Sequence, residues 1–65
     1  MENEVRVIGR RVVRNFYPTT SEAWTAYLRI CKMYDDLSKI GKLDRAVTVI
    51  RFNGSVACSK MEWGC

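Results

Sequence analysis

The chain has 65 residues, 48% of them apolar, with eleven Lys and Arg against seven Asp and Glu, no histidine, and a net charge of +4. That length allows one domain around one core, and a domain so small buries only about 60% of the surface its unfolded chain exposes. The apolar content excludes a disordered chain. Three cysteines, Cys31, Cys58 and Cys65, with no C-x-x-C pair and no histidine, are too few ligands for tetrahedral zinc.

The opening Met1-Glu2-Asn3-Glu4 has neither a basic stretch nor an apolar run, unlike a signal peptide. No apolar run approaches the roughly 20 residues needed to cross a bilayer. The expectation is a soluble cytoplasmic protein without membrane contact. Its thiols would be reduced, with Cys31 and Cys58 packed as small apolar groups. A Cys58–Cys65 bridge, or an intermolecular bond through Cys65, is the alternative.

In chain order, residues 4–16 read as one long strand with a bulge or bend at Gly9. A tight hairpin turning at Gly9-Arg10 competes with it. That hairpin would set Val7 opposite Val12 but Arg14 opposite Val5, so the single strand is preferred. A helix follows over about 20–40. Thr19 and Glu22 have capping-box spacing after Pro18, and Gly41 suits the left-handed position past the helix end. At 100° per residue, Ala23, Tyr27, Ile30, Tyr34 and Leu37 share a stripe flanked by Ala26, Cys31 and Met33. Arg29, Lys32, Asp36 and Lys39 lie opposite, with Lys32–Asp36 and Asp35–Lys39 spaced as i,i+4 pairs. Trp24 and Leu28 fall at or beyond the stripe's edge, available for contact.

A hairpin over about 45–61 turns at Asn53-Gly54, the strongest short hairpin signal. The predicted fold is therefore α+β, a single domain spanning 1–65. Its order is β-α-β-β, one helix on one face of a three-stranded, mainly antiparallel sheet. A two-residue turn would pair Phe52 with Ser55, Ile50 with Ala57 and Ala46 with Met61. The uncharged face with Ile50, Phe52 and Met61 is assigned to the helix. Val47, Val49 and Val56 then fall on the open face with Arg51 and Lys60, joined by Arg6, Arg10, Arg14 and Phe16 of the first strand.

Basic side chains interleaved with apolar ones suit docking. The candidate binding residues are Arg6, Arg10, Arg14, Arg51, Lys60, Phe16 and Trp24. Arginines four apart on a strand lie about 13 Å from each other, a spacing that also reaches phosphates. Catalysis is not expected: without histidine, the carboxylates and thiols have no acid–base partner, and no cofactor or metal is implied.

The expected function is docking onto a larger protein or ribonucleoprotein. Nucleic-acid binding through strand arginines and aromatics is the alternative, and a homodimer through the open face is a further one. In size and composition the chain resembles the short basic proteins that phages encode to inhibit host or defence machinery, including anti-CRISPR proteins. That resemblance implies a steric inhibitor without a catalytic site.

Overall fold

The computed structural model describes residues 3–63. Four strands and one helix follow the order β1 (Asn3–Ile8), β2 (Val12–Tyr17), α1 (Thr20–Lys39), β3 (Val47–Asn53) and β4 (Val56–Trp63). The sheet is antiparallel throughout, with strand order β2-β1-β3-β4. The class is α+β as expected, but the sheet has four strands, and the order is β-β-α-β-β.

Residues 4–16 are thus two strands rather than one. Their turn has three residues, Gly9 to Arg11, closed by the Gly9 N–H donating to the Arg11 carbonyl at 3.1 Å. The extra residue shifts the register, so Val7 faces Val13 and Val5 faces Asn15. The Arg14–Val5 mismatch that counted against a hairpin therefore never arises. Arg14 instead stands directly opposite Arg6.

The second hairpin also turns over three residues. Phe52 pairs with Val56, and the Asn53 N–H donates to the Ser55 carbonyl at 2.9 Å, with Gly54 at φ +76°. Beyond it the register shifts twice, so Arg51 pairs with Cys58, Ile50 with Ser59, Val49 with Lys60 and Val47 with Trp63. The pairing expected from a two-residue turn is not formed. Cys65 and the side chain of Met61 lie outside the described residues.

The helix is delimited as its sequence demands. Thr19 is its N-cap, and its hydroxyl accepts from the Glu22 N–H at 3.1 Å and donates to the Glu22 carboxylate at 3.2 Å. Thr19→Ala is expected to cost about 1 kcal/mol, a fall of roughly 4–8 °C in a thermal melt. At the other end Gly41 (φ +70°) takes the left-handed position. The Lys42 N–H reaches the Leu37 carbonyl and the Gly41 N–H the Ser38 carbonyl, a Schellman closure. Lys32 pairs with Asp36 at 3.6 Å, but Asp35 is drawn to Lys60 of β4 at 2.5 Å rather than to Lys39.

The helix lies chiefly over the two central strands, β1 and β3. Ala23, Tyr27 and Cys31 meet Val5, Val7, Val47, Val49 and Leu43 in the core, with Ile30, Tyr34 and Leu37 half-buried around them. Val5 and Val49 are fully sealed. Met33, on the edge of the expected stripe, is exposed. Burial pushes the Tyr27 hydroxyl up to about 12 and also raises the Cys31 thiol. Cys31 and Cys58 are free thiols. Among the described residues, no helix is long and apolar enough to cross a membrane.

The helix therefore packs on the odd-numbered side of β3, with Val47, Val49 and Arg51, not on the side of Ile50 and Phe52. Two valines and a small Ala23 let the helix approach the sheet closely, and Tyr27 fills the remaining depth. Cys58 and Lys60 of β4 lie on this same side, opposite Arg51 and Val49, and the bulge after Phe52 puts Val56 on the other.

Candidate binding surface

Alternation along each strand places Glu4, Arg6, Ile8, Val12, Arg14, Phe16, Thr48, Ile50, Phe52, Val56 and Ser59 on the face away from the helix. Val12, Phe16 and Val56 are each more than half exposed there. Four strands about 4.8 Å apart and about 20 Å long give this face a projected area of roughly 400 Å². No other element covers it among the described residues.

Its centre is electrostatic. The Glu4 carboxylate accepts from Arg14 Nε at 2.6 Å and from Arg6 Nε at 3.1 Å, with longer contacts to both Nη2 atoms. Hydrogen bonds from Arg14, and then from Arg6, hold the Glu4 carboxyl down at about 2 against the desolvation that pushes it up. Glu4 is shielded by flat guanidinium groups rather than by deep burial in the core. Each arginine also lies over a ring of its own face: Arg6 is 4.6 Å from the Phe52 centroid and Arg14 is 5.2 Å from that of Phe16. Side chains pinned at both sides are held in place before any partner arrives.

The seven expected site residues divide into three groups. Arg6, Arg14 and Phe16 lie together on the open face, as expected. Arg10 is in the exposed β1–β2 turn, because the hairpin takes it out of the sheet. Arg51 and Lys60 are on the helix side, since both belong to the valine face of β3, with Lys60 opposite Val49, and the helix covers that face. Arg51 is buried with its guanidinium 5.2 Å from the Trp24 ring, and Trp24 stacks on Tyr27 at 5.6 Å. Trp24 therefore serves partly as a lid on Arg51.

Two contributors escaped the sequence reading. Size and neutrality assign Phe52 to the helix side, and nothing local in the sequence marks Glu4 as the partner of two arginines. What the sequence does show is that Glu4 is the lone acid in the alternating set Glu4, Arg6, Arg14.

Comparison of the chain with protein-family models, with curated proteins and with solved structures found no match. The surface must therefore be read from its own chemistry. Among the described residues no group of His, Cys, Asp and Glu could hold a metal ion.

Proposed function

We propose that this is a non-enzymatic docking domain that binds another protein through its open sheet face. The observation that carries this reading is the Arg6–Glu4–Arg14 cluster, stacked on Phe52 and Phe16 amid exposed Val12 and Val56. Rigid arginines and aromatics among aliphatic groups are side chains enriched at interfaces. Because Arg6 and Arg14 are already committed to one carboxylate, they suit a protein surface better than a phosphate backbone. The partner expected is an apolar patch bordered by carboxylates, since the two arginines and Glu4 leave one positive charge on the face. A second copy would bring the same surplus and the same +4 body charge, which adds repulsion rather than complementarity.

The face amounts to about half of the roughly 800 Å² that each side of a standard interface buries. A partner must therefore also grip the rim of the sheet. Docking that blocks a larger machine, as phage-encoded inhibitors do, is the physiological role proposed, on the resemblance in size and composition alone.

The test compares Phe16→Asp with Arg29→Glu, a control on the outer helix face, in affinity capture from the native host followed by binding measurements on the purified partner. Phe16→Asp should weaken binding at least 100-fold, with an unchanged circular dichroism spectrum, and Arg29→Glu should leave it intact. Equal binding by both variants would refute the reading. So would a concentration-dependent dimer, in sedimentation equilibrium, that Phe16→Asp dissolves.

A further inference from the structure

The positive surplus is concentrated at one end of the molecule, away from the cluster described above. β1 ends where β3 begins, with Ile8 opposite Thr48, so the Gly9–Arg11 turn adjoins the loop leading into β3. Arg10 and Arg11 on the turn and Arg45 on that loop line one recess of about 330 Å³, with Asp44 on its wall and buried Leu43 and Val47 beneath. Tyr34 of the helix also lines the recess, and Lys39 and Lys42 stand at the helix's C-terminal end. Three of the eleven basic residues thus line one recess with one acid.

None of Arg10, Arg11, Arg45, Lys39 and Lys42 makes an ion pair among the described residues. Four of the other six basic residues are paired: Lys32 with Asp36, Lys60 with Asp35, and Arg6 and Arg14 with Glu4. Completing the helix explains the two lysines, because the negative end of a helix is satisfied by about half a unit of charge. Lys39 and Lys42 meet that need. Arg10, Arg11 and Arg45 are on no helix, and their mutual repulsion is a cost the fold itself does not offset.

We propose that this basic end binds the phosphodiester backbone of a nucleic acid. Three exposed guanidinium groups around a concavity match phosphate oxygens, which accept paired N–H donors from arginine. A lipid surface is less well served: of the aliphatic residues lining the recess Val7, Leu43 and Val47 are buried and Val13 alone is half exposed, and Ile40 is the lone strongly exposed aliphatic side chain among the described residues of the helix end. The inference goes beyond the protein-docking reading and uses different residues, so each can fail without the other.

The experiment is fluorescence anisotropy of labelled 20-nucleotide single strands and duplexes titrated with the whole protein. Three to five phosphate contacts on duplex predict a log–log salt slope of about −2.7 to −4.5. Raising salt from 50 to 200 mM should then weaken binding roughly 40- to 500-fold. The Arg10→Glu/Arg11→Glu/Arg45→Glu variant should bind at least tenfold more weakly at 50 mM and flatten the slope by two to three units. The milder triple alanine variant keeps the test valid if charge reversal disturbs folding. Phe16→Asp should bind oligonucleotide normally. No binding to either oligonucleotide at 50 mM salt, binding that both triple variants retain, or tighter binding to vesicles of one-third phosphatidylserine than to oligonucleotide would each overturn the proposal.

Discussion

Glu4→Gln is expected to destabilise the domain by about 2 kcal/mol, lowering its thermal midpoint by roughly 8–16 °C. The carboxylate stands between two arginines that the register places directly opposite each other, an arrangement that is unfavourable without it. Glutamine keeps the shape but offers one acceptor, and its amide nitrogen is a donor facing donors. Hydrogen bonds to a charged group contribute about 1.5–3 kcal/mol, and the lower half of that range applies because Arg14 is half exposed to water. An Arg14→Gln variant paired with Glu4→Gln in a double-mutant cycle should return a coupling of about 1 kcal/mol or more. A cycle that closes to zero would mean the trio is only a surface arrangement.

The same contact fixes a pH window. The Glu4 carboxyl is held at about 2 in the folded chain against an ordinary 4.5, so the unfolded chain binds more protons between those values. Its contribution is complete above about pH 4.5 and fades as the pH falls toward 2. Denaturant melts of the native chain and of Glu4→Gln should therefore differ most at neutral pH and converge in acid. A difference that stays constant down to pH 2 would contradict the cause assigned to the shift.

What the sequence disclosed, and what it withheld, follows from the range of the interactions involved. The helix and its ends were legible because Thr19, Glu22 and Gly41 act within a few residues of themselves. The strand face of Val5 and Val7 was legible from alternation. The β1–β2 hairpin was misread because a two-residue turn was assumed, and one added residue, Arg11, reverses the phase of all that follows. β4 failed likewise at its bulge, which puts Val56 on the face of Phe52 rather than on that of Arg51. The face of β3 was assigned by size and neutrality, favouring Ile50 and Phe52. Packing instead rewarded the close approach of Val47 and Val49 and accepted Arg51 with them. Charge location suffered most: of five cations expected on the open face, Arg6 and Arg14 alone are there. The rest depends on long-range pairing, which no local pattern encodes.

Arg51 is the place where that bargain is visible, and Arg51→Met is expected to raise stability by about 1–2 kcal/mol, or roughly 4–16 °C in midpoint. The side chain is 9% exposed, and its Nε and Nη1 atoms have no hydrogen-bond partner among the described residues. A buried donor left unsatisfied costs about 1–3 kcal/mol, and a desolvated charge adds to that. Against it stands the attraction of the guanidinium to the Trp24 ring, about 0.5–2 kcal/mol depending on how far both are dried. Methionine has similar length, brings no donor, and retains a favourable sulfur contact with the indole. Arg51→Lys should not reproduce the gain, because an ammonium in the same place carries the same unpaired charge without the planar stack. Urea melts of the three proteins at pH 7 decide the matter. A methionine variant less stable than the native chain would show that Trp24 alone more than offsets the burial of the charge.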